Sequence, residues 1–286
     1  MKLIEMVDKH LENPYAIHTG LHRGYNHPSQ ASCLIKNEYG EEVVAGKCLR
    51  DVYWQHKGIG ETNPMTARGE RICSVGKMVE KFEIEQYKQL GIWRDNNVKF
   101  FDPRTNVSGE ADCVVWDSEK SSLRGVEIKS GYDYKFRTDV IGTPTRPGKP
   151  KMEHLLQTML YIDYFKFPFS LVYIDRGNAA RREYEITLNT DGTPNIDGKK
   201  LLNGISIPRC VARFKELEEC VKDGVLPRRD FQARYSRERV EFLYNSRRLN
   251  KGQTEEFEKS KNVDMGDYQC GYCERRDYCR KQEEAK

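Results

Sequence analysis

The sequence contains no apolar run approaching the roughly 20 residues a membrane span needs, so no membrane association is expected. Its opening, MKLIEMVDKHLENPY, carries acidic residues and no long apolar stretch, which does not read as a secretory signal. There is no internal repeat and no low-complexity tract. No Gly-x4-Gly-Lys-Ser/Thr phosphate loop is present, so no ATP-driven motor is expected. Charge of one sign is not in large excess either: 48 Lys and Arg against 44 Asp and Glu leave a net +4 over 286 residues. A nucleic-acid role therefore has to rest on where the charges fall, not on their total. These absences point to a cytoplasmic protein. In that reducing compartment the nine cysteines read as metal ligands, catalytic thiols or buried thiols before disulfides.

With 37% hydrophobic residues, the chain can bury a core as one elaborated domain or a core with an appended subdomain. Periodicity predicts helices over residues 1–12, 48–57 and 66–90, the last ending near Gly91, and a hairpin around Glu38–Gly40. Strands follow at 97–101, 107–116 and 123–130, with Asp117–Ser122 as a polar turn. The Gly/Pro-rich stretch IGTPTRPGKP leads to a helix over 151–166, strands at 169–175 and 183–189, a helix over 207–222 and a basic, mostly helical tail. The helix, three strands, helix, strand order in the middle indicates an α/β (α+β) core. The expected division is an N-terminal segment (1–65), a core (66–190) and a helical basic region ending in cysteines (191–286).

The segment GEADCVVWDSEKSSLRGVEIKSG, residues 109–131, is the most informative. Alternation along a strand puts Glu127 and Lys129 on one face. A hairpin symmetric about the midpoint between Glu119 and Lys120 sets Asp112 directly opposite Glu127, with Cβ atoms roughly 5 Å apart. Cys113, Val115, Val126 and Ile128 then form the opposite, apolar face. Two carboxylates that close repel unless a cation lies between them, and hard oxygen donors suit Mg2+ or Mn2+. A neighbouring lysine can orient water and stabilise charge developing at phosphorus. The same residues also fit a surface cross-strand salt bridge. Asp112 followed by Glu127-Ile128-Lys129 resembles the PD-(D/E)XK nuclease signature, which implies an αβββαβ core.

Two flanking helices extend the pattern. In PKMEHLLQTMLYIDYF, Gln157 and Tyr161 stand at i, i+4 with His154 one turn earlier, while Leu155, Leu156, Met159, Leu160 and Ile162 supply a buried face. This resembles the Gln-x3-Tyr motif of RecB-like nucleases, implying that these residues line the active site and contact DNA. Upstream, SVGKMVEKFEIE places Gly76 one turn before Glu80. Gly76 would let another backbone approach closely, and Glu80 can reach a metal from its helix. RecB-like relatives often carry His there and other branches Glu; Glu83 is the alternative.

At the C-terminus Cys270, Cys273 and Cys279 fall within ten residues, enough for three ligands of one soft centre that needs a fourth. Cys48, in GKCLRDVYWQHKG, and Cys33, in HPSQASCLI, are the candidates. Both segments resemble the N-terminal cysteine stretch of iron–sulfur RecB-like nucleases, where one early and three late cysteines hold a 4Fe–4S cluster; Cys48 is preferred. Zinc on the same thiols is the chemical rival. Cys73, Cys113, Cys210 and Cys220 read as small buried residues.

Residues 226–251 interleave arginines, Arg228 and Arg229 among them, with Phe231, Tyr235, Phe242 and Tyr244. Cations neutralise phosphates and aromatics stack on unpaired bases, so the tail is a candidate wall for single-stranded DNA. The aromatics equally fit a helix that packs them inward. Together the pieces resemble the RecB-like, CRISPR-associated exonuclease family and its phage-encoded relatives. The resemblance implies a Mg2+- or Mn2+-dependent exonuclease acting on single-stranded DNA, 5′ to 3′ favoured. It places the chain in recombination, repair, phage DNA processing or CRISPR adaptation, with proteins of those pathways as partners. The metal-binding set it implies is Glu80, Asp112, Glu127 and the Ile128 carbonyl. The rivals are a zinc-stapled, non-catalytic nucleic-acid-binding protein and an endonuclease component of a larger DNA-processing complex.

Overall fold

The computed structural model describes residue 4 and residues 24–37, 40–261 and 263–284. The helix expected over 1–12 lies outside these residues, Ile4 apart. In chain order the first elements are β1 (Ser32–Lys36), β2 (Glu42–Gly46), α1 (Leu49–His56), α2 (Ala67–Gln89), β3 (Trp93–Asp102), β4 (Val107–Asp117) and β5 (Ser122–Gly131). A π-helical turn, Phe136–Ile141, and the two-residue strands β6 (Gly142–Thr143) and β7 (Arg146–Pro147) follow. Then come α3 (Met152–Phe165), β8 (Phe169–Asp175), β9 (Arg181–Leu188), β10 (Pro194–Ile196), β11 (Lys199–Lys200) and α4 (Ile207–Asp223). Four helices complete the chain: α5 (Arg237–Asn245), α6 (Lys251–Ser260), α7 (Tyr268–Gly271) and α8 (Arg276–Glu284).

By its internal contacts the chain divides into two compact units, Met1–Lys47 with Met65–Val225, and Cys48–Pro64 with Leu226–Lys286. The expected boundaries run differently. Residues 191–225 join the larger unit because β10 extends its sheet and α4 packs into its core.

The larger unit is built on a seven-stranded mixed sheet in the order β11-β10-β9-β8-β5-β4-β3. Only β5 and β8 run parallel, and α3 makes the crossover that parallel pairing requires. Helix and sheet starts have local causes. Thr66 caps α2 by accepting from Gly69 N at 3.3 Å. The β4–β5 turn is held by Asp117, whose Oδ1 accepts from Glu119 N and Lys120 N at 3.1 Å each. Arg124 Nη2 sits 2.5 Å from the other oxygen of Asp117.

Both faces of the sheet are covered. On one, Leu155, Leu156 and Met159 of α3 are fully buried against Phe169, Leu171 and Tyr173 of β8, with Cys33 of β1 and Phe214 of α4 in the same core. Each such aliphatic side chain contributes about 1.5–3 kcal/mol on burial. On the other face, Ile84 of α2 meets Cys113, Val115, Val126, Ile128, Val172 and Ile174. The apolar face expected of the hairpin is therefore the α2 face, which leaves Glu127 and Lys129 pointing to the α3 side.

In the smaller unit Val240, Phe257 and Val263 form a modest core with Tyr235, Tyr244, Leu249 and Met265 packed on it. Residues 226–236 are irregular instead of helical, so the tail is less helical than its composition suggests. A buried ion pair, Arg275 Nη1 to Asp51 Oδ1 at 3.1 Å, joins α1 to the C-terminal segment. Arg275 Nε donates to the Ile59 carbonyl at 2.9 Å, and Trp54 meets Tyr278 edge to face at 5.2 Å. Among the described residues no helix is long and apolar enough to cross a membrane.

Candidate functional site

The β4–β5 ladder pairs Cys113 with Val126 and continues in register to Asp117 with Ser122. That register shares the midpoint expected from the sequence, and its next step outward sets Asp112 against Glu127. There Asp112 Oδ2 accepts from Ile128 N at 2.7 Å. Ile128 sends its side chain into the α2-side core, so only its backbone can serve the site.

Glu127 is 0% exposed. Lys129 Nζ lies 2.5 Å from its Oε1 as an ion pair, and Oε2 is buried with no hydrogen-bond partner among the described residues. Burial pushes the Glu127 carboxyl up to about 8; Asp112 and Glu80 push the same way while the Lys129 ammonium holds it back. Burial also raises Asp112, and burial with the Asp112 charge raises Glu80. Burial pulls Lys129 down, but Glu127, Asp112 and Glu80 outweigh it and keep the ammonium charged. Three carboxylates thus crowd one lysine, each pushed toward its neutral form. A hard divalent cation fits that donor set, because it would stabilise the ionised carboxylates and give the buried Glu127 Oε2 a partner.

Helix α2 decides between Glu80 and Glu83. Glu80 feels the charges of Asp112, Lys129 and Glu110. Glu83 is buried elsewhere, 2.7 Å from Arg181 Nη2 of β9. The close backbone approach expected at Gly76 is absent: a Cβ there would find Ser130 Oγ at 3.7 Å, an ordinary contact.

Helix α3 brings three further residues to the hairpin. Gln157 Nε2 donates to the Tyr161 hydroxyl at 2.7 Å, which donates to the Glu110 carbonyl at 3.0 Å. The Tyr161 ring is buried against Phe100 and Phe169. Tyr161 is therefore a buried strut between α3 and β4. His154 Nδ1 lies 3.0 Å from the Tyr173 hydroxyl, which also accepts from Lys151 N at 3.0 Å. Burial, then the charges of Lys129 and Lys151, hold His154 well below the usual imidazole range.

Glu110 went unnoticed in the sequence. It stands two residues before Asp112 and so shares its strand face. Its carboxylate accepts from Asn97 Nδ2 at 2.8 Å and adds to the negative field on Asp112 and Glu80. The strand period was the available signal.

The cysteines separate clearly. Cys33 is 0% exposed in the large unit's core with Cys210, and its thiol donates to the Leu34 carbonyl at 3.5 Å. Cys48 belongs to the smaller unit with Cys270, Cys273 and Cys279. Successive turns gather the late three: Cys273 N donates to the Cys270 carbonyl at 3.3 Å, and Cys279 N to that of Arg275 at 3.0 Å. Asn63 Nδ2 donates to the Cys273 carbonyl at 3.1 Å, tying the residues after α1 to the same loop. Burial pushes the Cys48 thiol up to about 11, with Asp230 adding to it. Burial pushes Cys270 up to about 12, helped by Cys48, Asp267 and Cys279. Thiols that oppose each other's ionisation in this way fit a soft cation. As the side chains stand, no group of three or more His, Cys, Asp or Glu is placed to hold a metal ion among the described residues. Cys113 and Cys210 are buried as expected and Cys220 half-buried, but Cys73 is exposed on α2.

Arg228 is exposed, and half-buried Arg229 lines a cavity of about 660 Å³ with Arg234, Arg239 and Tyr235. The interleaved aromatics divide. Tyr244 packs on Phe257 at 4.5 Å and Tyr235 donates to Asp267 at 2.6 Å, whereas Phe242 is exposed beneath Arg239.

No protein-family model matches the sequence, and no curated protein matches it. Among solved structures, the chain is similar to one described as "Crystal structure of SSO0001". The likeness has 15% identity, covers 78% of this chain and 87% of that one, and reaches a TM-score of 0.41, too loose to bear on function.

Proposed function

We propose that this protein is a divalent-metal-dependent deoxyribonuclease of the PD-(D/E)XK superfamily, RecB-like in its motifs, that degrades single-stranded DNA from an end. We further propose that Cys48, Cys270, Cys273 and Cys279 hold a 4Fe–4S cluster. The observation that carries the reading is the hairpin register, with Asp112 tied to Ile128 N and the buried carboxylate of Glu127 paired with Lys129 through one oxygen only. The order α2, β3, β4, β5, α3, β8, with a π-helical turn and the short β6 and β7 inserted before α3, is compatible with the αβββαβ order the resemblance implies.

Asp112, Glu127 and Glu80 would hold Mg2+ or Mn2+. When bound, such an ion supplies Lewis-acid polarisation of a phosphoryl oxygen. Lys129 orients the attacking water and stabilises charge developing on the phosphate. Gln157 and Tyr161 hold β4 in place through Glu110, and neutral His154 stands one turn earlier on α3, its Nδ1 against the Tyr173 hydroxyl. The cluster, on this proposal, is a staple that ties α1 to α8, and its role is structural.

Digestion of 5′- and 3′-labelled oligonucleotides with and without Mg2+ or Mn2+ tests the proposal. The expected result is metal-dependent loss of one end label first, with circular single strands left intact. Cleavage of circles would identify an endonuclease. No digestion with either ion, together with zinc in the purified protein, would leave a zinc-stapled binding protein.

A further inference from the structure

Strand β5 runs on from Lys129 into two unburied aromatics. Tyr132 and Tyr134 are 44% and 79% exposed, in the stretch Tyr132–Lys135 that is exposed throughout. Exposure of this kind ordinarily accompanies a loose loop. Here the backbone beneath it is firmly anchored at both ends.

Before it, Arg176 N donates to the Gly131 carbonyl at 2.7 Å. A Cβ at Gly131 would lie 2.4 Å from the Phe136 ring, so glycine lets that ring pack beneath the segment. After it, Phe136 is buried in the main core and its N–H donates to Asp133 Oδ1 at 2.8 Å. Arg137 N donates to the Asp133 carbonyl at 3.1 Å, and the Arg137 side chain pairs with buried Asp175. The Asp133 carboxylate is thus turned toward the backbone.

Two cations back the Tyr132 ring. Arg176 lies over it at 5.4 Å and is itself held through the Ile72 carbonyl at 3.0 Å, while Arg68 Nη2 donates to the Tyr132 hydroxyl at 3.0 Å. At about 3.3 Å per residue, Tyr132 stands roughly 10 Å along the chain from Lys129. An aromatic face with a guanidinium behind it is the chemistry that holds an unpaired base and its phosphate. Paired bases keep their faces inside the duplex stack.

We propose that Tyr132, backed by Arg68 and Arg176, and the exposed Tyr134 near it form a stacking lip that receives the bases of a single DNA strand just past the end of β5, the strand that carries Glu127 and Lys129. The lip rests on the proposed function only in taking DNA as the ligand, since its binding needs no cleavage.

The test uses the full chain in EDTA, titrated by fluorescence anisotropy with oligothymidine, with an abasic strand of equal length and with blunt duplex. Wild type is expected to prefer oligothymidine to both. Tyr132→Ala and Tyr134→Ala should each weaken oligothymidine binding about 10-fold. Tyr134→Phe should bind as wild type, and abasic binding should be unchanged in all variants. Alanine variants that bind oligothymidine as wild type, or that lose the abasic strand equally, would overturn the lip. Parallel digestion by wild type in Mn2+ separates the two proposals. Cleavage with no effect of the tyrosines removes only the lip. Tyrosine-dependent binding without cleavage removes only the nuclease.

Discussion

The N–H of Ile128 donates to Asp112 Oδ2 at 2.7 Å, so the residue between Glu127 and Lys129 locks the facing carboxylate in place. One backbone bond thereby couples the two strands that carry the proposed chemistry.

Lys129→Ala is expected to lower turnover on labelled single strands by about 100-fold or more. Glu127, already pushed up to about 8, would then hold its proton through neutral pH, and the fold should persist by circular dichroism. Undiminished turnover in this variant would remove the assignment.

Glu80 and Glu83 stand one turn apart on α2 but meet different partners. Glu80→Gln should weaken Mn2+ binding, read by calorimetry, about 10-fold or more while leaving the melting temperature nearly unchanged. Glu83→Gln should do the reverse, costing about 1–3 kcal/mol of stability through the lost Arg181 pair. Equal effects of the two on Mn2+ affinity would contradict the placement of α2.

Cys48→Ser should strip most iron from aerobically purified protein and bleach its colour, whereas Cys33→Ser should leave iron content unchanged. Cys33 is enclosed beside Cys210 in the other unit's core. Colourless wild-type protein carrying zinc would replace the cluster with the rival metal.

The Arg275–Asp51 pair is buried on both sides. Arg275→Ala removes this buried partner of Asp51 and the Arg275 bond to the Ile59 carbonyl, and is expected to cost the smaller unit about 3–5 kcal/mol. Urea unfolding followed through Trp54 fluorescence in a Trp93→Phe, Trp116→Phe background measures this. The paired change Arg275→Met with Asp51→Leu should recover much of the loss, which a purely cavity-driven effect would not.

His154 makes stability depend on acid. Its folded pKa lies well below the ordinary 6.5, so as pH falls through 6.5 the unfolded chain takes up a proton that the folded one refuses. Stability therefore declines from pH 7 toward pH 5, by at most about 1.4 kcal/mol per pH unit from this residue. His154→Asn should flatten that slope in urea titrations at pH 7, 6 and 5. An unchanged slope would mean that His154 titrates normally.

Much of the hairpin was legible in the sequence because its determinants are local. A short polar turn and a two-residue alternation set the β4–β5 register, and with it the placement of Glu127 and Lys129 on one face and Val126 and Ile128 on the other. The long helices α2 and α3 follow equally from their own periodicity. Glu110 was within reach of the same strand period, two residues from Asp112.

The rest required the tertiary structure. The rotation of α2 against the sheet separates Glu80 from Glu83, and helical periodicity alone leaves neighbours on one turn unresolved. Tyr161 becomes a strut because α3 lands where its hydroxyl meets the Glu110 carbonyl. Cys48 joins residues more than two hundred positions later through Arg275 and Asn63, contacts that no local pattern encodes. Tyr132 and Tyr134 stay exposed because Gly131 and Phe136 anchor the backbone beneath them. Local spacing determined which side chains share a face; packing at long range decided what each face meets.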